Sequence, residues 1–297
     1  MQGTRRWLVL ACGLLAAIPI VVAAGHAISI RWVPLSDLGY TAVKSFDVFS
    51  GRSPLVGQWS SGASAAADHL TYSPGPLLFW VLSAPTRWLG PSAPAVAAGV
   101  VNVACVIGAV ALAHRRGGVP LALATALAVP VMLRSLPGET YSDPWNSSAP
   151  LMPLVLLFFL AWSVACGEYR LLPLAVLVGS FAAQSHLTFV TPVVLLLVTA
   201  VVGLAINRPR GEPDLRRWVL AGVGVAVVCW SFPLIDQAVH RPGNLVLLVR
   251  AATTDQATLG WHTGWHAMAP QGSGQALGTG RVRRRPERTA WLNRIRP

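Results

Sequence analysis

The sequence predicts an all-α fold: a polytopic integral membrane protein of about seven transmembrane helices, with a large first extracytoplasmic loop that contains interfacial helices. Three observations carry this. Apolar residues make up 54% of the 297 residues and charged residues only 11%. The apolar residues come in runs of roughly 16 to 22, which at 1.5 Å per residue approach or exceed a bilayer core of about 30 Å. These runs are continuous, whereas a membrane β-barrel would show alternating segments of about ten residues.

In chain order the predicted spans are residues 7–28, 94–113, 119–133, 149–166, 171–185, 187–206 and 218–235. Arg5 and Arg6 precede the first, and small residues follow at Ala23 to Ala27, as in a secretory signal. The stretch is too long for a typical signal core and further spans follow it, so a retained signal anchor is expected. Residues 76–89 are apolar too, but that stretch is short and holds Pro76, Pro85, Trp80 and Trp88. Charge decides its role. If it crossed, His114-Arg115-Arg116 and the Arg208 to Arg217 segment would both fall on the side opposite Arg5-Arg6; lying in the interface, it leaves both beside Arg5-Arg6 on the inside. An interfacial helix with tryptophans at headgroup depth is therefore expected. The N-terminus is then cytoplasmic, and the loops 29–93 and 134–148, the Gln184-Ser185-His186 turn and everything after Asp236 share the other face.

Two domains are expected: a transmembrane domain over 1–240, and an extramembrane segment over 241–297 with a basic tail of disordered composition. That tail, with Arg281 and Arg283-Arg284-Arg285, lies outside in this topology, against the positive-inside tendency. Either the chain is C-terminally shortened or there is an eighth crossing.

Composition excludes several functions. The net charge of +12 rests on arginines dispersed over short connections and the tail, without aromatics interleaved on one face, so nucleic-acid binding is not indicated. Cys12, Cys105, Cys166 and Cys229 fall in or beside apolar runs with no metal-ligand or redox spacing. There is no phosphate-binding Gly-rich loop, no His-Glu-x-x-His and no nucleophilic serine elbow.

The polar chemistry collects on the extracytoplasmic side. Asp37 heads the first loop just past the first span; it reads as a helix cap or as a general base at the edge of a water-poor cavity. Arg134, where the third span ends, reads as a snorkelling anchor or as a cation for a phosphate. Asp143, in Ser142-Asp143-Pro144-Trp145, either caps the next helix or faces Asp37 across a cavity. His69 and Tyr72 are candidate hydrogen-bonding groups for a phosphate or a sugar, and His186 is either a polar turn residue or a ligand. Asp68-His69 offers two ligands for a divalent metal, too few to define a site.

Asp37 followed by Tyr40, then Gly51-Arg52-Ser53-Pro54-Leu55 and Tyr72-Ser73-Pro74-Gly75-Pro76-Leu77, resembles the large first loop of GT-C membrane glycosyltransferases such as protein O-mannosyltransferases and aminoarabinose transferases. In those enzymes a His/Lys-Pro-Pro-Leu element begins a juxtamembrane helix. The His186 turn resembles their Thr-His-Tyr-type turn. The chain departs from the family in having Asp37-Leu38 where many members have Asp-Glu, and in splitting the Pro-Pro pair with Gly75. The resemblance covers roughly residues 7–235 and implies transfer of a sugar from a polyprenyl-phosphate carrier to a cell-envelope glycan, lipid or protein, in the plasma membrane. Asp37 would act as base, with Tyr40, His69, Tyr72, Arg134, Asp143 and His186 binding substrate. Two alternatives stand beside it: a non-catalytic truncated membrane subunit, and a lipid or sugar transporter. The near absence of charge inside the spans counts against the transporter.

Overall fold

A computed structural model describes residues 2–136, 138–207, 214–254 and 261, with side chains described from residue 7 onward and not at 138 and 139. The expected basic tail therefore lies outside the described residues. Residues 1–254 form one compact unit and 255–297 a second, of which only Trp261 is described.

Within the first unit ten α-helices follow one another: α1 (Gln2–Ser29), α2 (Asp37–Asp47), α3 (Ser61–Ala67), α4 (Leu77–Trp88), α5 (Ala93–Arg134), α6 (Leu151–Ala165), α7 (Leu172–Ser185), α8 (Val190–Asn207), α9 (Leu215–Val239) and α10 (Asn244–Thr253). No strand occurs among the described residues beyond an isolated bridge between Trp59 and Tyr72. Among the described residues four helical segments are long and apolar enough to cross a bilayer: Trp7–Ser29, Ala93–Arg134, Leu187–Asn207 and Leu215–Val239. Valines and leucines such as Val194, Leu195, Val201, Val223, Val227 and Val228 cover their outer faces. Side chains of that kind facing outward need a lipid surround. The chain is that of a helical membrane protein.

α5 is not one rod. Gly117 (φ −131°, ψ 18°) and Gly118 (φ 67°, ψ −159°) leave helical geometry in its middle, and the positive φ at 118 is one that glycine adopts without strain. Had the helix run straight, Asn102 and Leu133 would stand about 46 Å apart at 1.5 Å per residue. Instead one residue bonds to both: the Tyr141 carbonyl accepts from Asn102 and the Tyr141 hydroxyl donates to the Leu133 carbonyl. The chain doubles back at the glycine pair.

The turns sort to two ends. At one, Glu168 between α6 and α7 pairs with both Arg115 and Arg116 at the α5 reversal, and Asn207 at the end of α8 donates to the Ala165 carbonyl. The Arg115-Arg116 pair and Asn207 therefore lie at the same end. At the other end α4 packs Leu78 and Leu82 against Ala149 and Phe181, the beginning of α6 and the closing turn of α7. α10 packs there on α3 through Ala251, Ala63 and Ala67. Between the ends a core of small and branched residues joins α1, both arms of α5 and α6 to α8; it includes Ala16, Ala17, Ile20, Val106, Ala109, Leu133, Leu157, Leu160 and Ala200. The alanines let backbones approach closely, the packing on which membrane helices rely.

Candidate functional site

A cavity of about 620 Å³ opens beside the C-terminal half of α1, at the same end as α4. Pro19, Val22, Ala23, His26, Ala27, Ile30 and Trp32 form one side; Leu38 at the start of α2, Ala95 at the start of α5, and Tyr141-Ser142-Asp143 form the other. That volume lies in the usual range for ligand sites, about 300–1,000 Å³. Its lining is mostly apolar, and its ionisable side chains are His26, Tyr141 and Asp143.

The 141–143 segment is fixed by the chain around it. Tyr141 is tied to both arms of α5 as described. Asp143 accepts from the Trp145 N–H at 3.0 Å and from the Ser148 hydroxyl at 3.4 Å. That is the local turn the Asp-Pro pair suggests, and it holds the carboxylate in place while the residue borders the cavity.

Asp37 is the first residue of α2 and is exposed; its neighbour Leu38, not Asp37 itself, lines the cavity. The capping role is not the one seen, for Ser36 holds the N-cap position and no side-chain cap bond forms. A carboxylate in a first helical turn is still favoured by the helix dipole. Three residues on, the Tyr40 hydroxyl is pushed above its ordinary value by burial and, secondarily, by Tyr72. The two phenols are thus neighbours. Tyr40 also meets Phe79 edge-on at 6.3 Å, and the Lys44 ammonium stands 5.7 Å over its ring.

The Tyr72-Ser73-Pro74-Gly75-Pro76 segment is pinned by main-chain bonds. The Asn244 side chain accepts from the Tyr72 N–H at 2.9 Å and donates to the Tyr72 carbonyl at 3.1 Å. Asp236 in turn accepts from the Asn244 N–H at 2.9 Å and pairs with His240. On the opposite side Ser73 donates to the Gln58 carbonyl at 2.7 Å, and the Gln58 side chain receives the Thr41 hydroxyl. Gly75 faces the fully buried Gln184, whose Nε2 donates to the Cys229 carbonyl at 2.7 Å. Pro233, four residues on, has no N–H for that carbonyl, so Gln184 supplies the missing donor.

The remaining candidates are more dispersed. Arg134 is exposed at the end of α5, next to the Leu133 that Tyr141 bonds, and does not line the cavity. His69 is exposed after α3, with Nδ1 3.3 Å from the Leu70 carbonyl. Among the described residues no three His, Cys, Asp or Glu side chains group at metal-binding spacing. His186 caps the turn after α7: its Nδ1 accepts from the Thr188 N–H and lies 2.9 Å from the Thr188 hydroxyl. Burial lowers its pKa below the ordinary imidazole value.

Sequence reasoning missed Asn244, Asp236 and Gln184. A lone amide in an apolar run is a usable signal for Gln184, as for Asn102. Nothing local marks Asn244, which meets a partner 172 residues away. No protein-family model, curated protein or solved structure matches the chain.

Proposed function

We propose that the chain transfers a sugar from a polyprenyl-phosphate carrier to a cell-envelope acceptor at the end of the bundle that holds the cavity. The observation that carries this is a mostly apolar cavity beside α1, edged by Asp143 and flanked by α2, the helix that Asp37 begins. The resemblance of the first loop to GT-C enzymes supplies the chemistry. An acceptor hydroxyl attacks the anomeric carbon, the bond from that carbon to the phosphate oxygen breaks, and the phosphate leaves with the electron pair. Asp37 takes the hydroxyl proton. Arg134, at the same end, offsets the charge of the departing phosphate.

The topology that suits this reaction has seven crossings: α1, the two arms of α5, α6, α7, α8 and α9. α2 and α4 lie in the extracytoplasmic interface, and the N-terminus is in the cytoplasm of a plasma membrane. The common end of Arg115, Arg116 and Asn207 supports it, because the positive-inside tendency then holds for every short loop. Single cysteines at positions 116 and 210 are expected to label from the cytoplasmic side and one at position 88 from the other. Labelling of 116 and 210 from opposite sides overturns this topology.

The chemical test is Asp37→Asn with a lipid-linked sugar donor. Removing a general base costs about 10² to 10⁴ in rate. Since Asp37 makes no cap bond, the variant is expected to stay folded. Turnover within twofold of wild type removes Asp37 from the reaction, and a wild-type chain inactive on every such donor favours the non-catalytic subunit.

A further inference from the structure

We infer that the face where α2 meets the end of α4 holds an anionic phospholipid, its phosphate on Arg87 and its hydrocarbon along Phe46, Phe49 and Trp88. Two contacts that join these helices build the site. The Arg87 guanidinium, in the last turn of α4, reaches across to α2: one N–H donates to the Phe46 carbonyl at 3.2 Å, and the central carbon stands 4.7 Å from the centre of the Phe46 ring. One residue on, the Trp88 indole stacks on Phe49, with ring centres 6.3 Å and planes 19° apart. The guanidinium is therefore fixed in place by a carbonyl and a ring, both on the neighbouring helix.

The donors left over on Arg87 match a phosphate. A guanidinium carries five N–H groups in a planar fork, and the bond to Phe46 uses one of them. No carboxylate pairs with Arg87 among the described residues, which include the whole chain from 30 to 136. Asp47, the acid next to Phe46, is buried and pairs with Arg52 instead. Around the guanidinium the surface is apolar, for Val43, Phe46, Phe49, Trp88 and Leu89 are all exposed. A soluble anion would leave that patch against water, whereas a phospholipid places its phosphate on the fork and its chains on the rings at once. The charge of the head follows from the same residues. Phosphatidylglycerol brings only a negative charge to Arg87, while phosphatidylcholine brings a second cation beside it. The site depends on a lipid surround and not on the transfer reaction.

The test uses the wild-type full chain in phosphatidylcholine bilayers that contain a small fraction of one of two probes, phosphatidylglycerol or phosphatidylcholine, each with a photoreactive diazirine high in one acyl chain. Adducts are mapped by mass spectrometry. The outward face of α9 at Val223, Val227 and Val228 is the reference. Relative to it, residues 43–49 and 86–89 are expected to be labelled about fivefold more by the phosphatidylglycerol probe, the gain that one surface cation gives toward an anionic lipid. Arg87→Gln is expected to remove this excess. Arg87→Lys is expected to keep part of it, because the charge stays while the planar fork is lost. Arg250→Gln, at an exposed arginine of α10, is expected to leave it unchanged.

Equal labelling of residues 43–49 and 86–89 by the two probes overturns the site, and so does an excess that survives Arg87→Gln. Loss of the excess on adding soluble glycerol phosphate overturns it as well, because the ligand is then a free phosphate. Should Arg87→Gln also change the labelling of α9, the wild-type protein decides: its excess is expected to fall several-fold between about 0.05 and 1 M salt, and an excess indifferent to salt overturns the site. The transfer assay on Asp37→Asn reads a different residue, so its failure and the failure of this site are separate results.

Discussion

Gly75→Ala probes the contact that ties the proline-rich loop segment to the bundle. A Cβ at residue 75 would overlap the amide of Gln184, which is fully buried and has no open space to swing into. Forcing a methyl group into a packed site costs about 1–3 kcal/mol. Moving Gln184 aside adds the loss of its bond to the Cys229 carbonyl, which Pro233 leaves without a helical donor. An orphaned buried acceptor costs about 1–3 kcal/mol, though interhelical hydrogen bonds in membrane bundles average nearer 0.6 kcal/mol. Together these give a destabilisation of about 2–4 kcal/mol. Reversible unfolding in mixed micelles, with SDS as denaturant, measures it. The origin is tested by adding Gln184→Ala. With the obstacle gone the alanine at 75 has room, so the double variant is expected to be about 1–2 kcal/mol more stable than the sum of the single effects predicts. A Gly75→Ala protein as stable as wild type, or additivity within about 0.5 kcal/mol, would refute the contact as the source.

Other outcomes follow from the same geometry. Asn244→Ala removes the side chain bonded to both main-chain groups of Tyr72, and is expected to cost about 1–3 kcal/mol in the same unfolding assay. Stability should also depend on pH through His186. Its folded pKa is lowered from 6.5, so the unfolded chain binds the proton more readily. The contribution of His186 is then complete above about pH 6.5 and is lost as pH falls below it, when protonation also deprives Nδ1 of the Thr188 N–H bond. Unfolding measured from pH 8 to pH 5 should show this slope in wild type and lose it in His186→Asn; an unchanged slope in the variant would assign it elsewhere.

Much of the architecture was readable from residue pattern. The apolar runs became helices, four of them long enough to cross a bilayer among the described residues, and the Gly117-Gly118 pair between two runs became the reversal because glycine takes φ 67° there without strain. Arg115, Arg116 and Asn207 lie at one end, a placement that holds whether or not residues 76–89 cross. The site was less legible. Asp143 was singled out and borders the cavity, whereas Asp37 borders it only through Leu38. The partners that fix the loop, Asn244 and Asp236, lie after the last apolar run, and pairing across 172 residues leaves no local period to read. Gln184 was read as one polar member of a turn, while its structural task depends on a proline in another helix.

α2 shows why hydrophobic pattern alone misjudges a loop at a membrane surface. Its sequence is amphipathic, and in a water-soluble protein Val43 and Phe46 would turn inward. Here Thr41, Ser45 and Asp47 are buried, while Val43, Phe46 and the following Phe49 are 61%, 48% and 52% exposed. The buried polar face is satisfied: Thr41 bonds Gln58, Ser45 bonds the Thr41 carbonyl, and Asp47 pairs with Arg52. The outward face continues onto α4, where Phe49 stacks on Trp88 and Arg87 lies over the Phe46 ring. An exposed aromatic and aliphatic face edged by cations suits the headgroup boundary, where indole rings and arginine stems are favoured. In the proposed topology the surround of α2 is lipid, so the usual inference of which face is core reverses sign. The same reversal places Asp37, at the head of this helix, where water and bilayer meet.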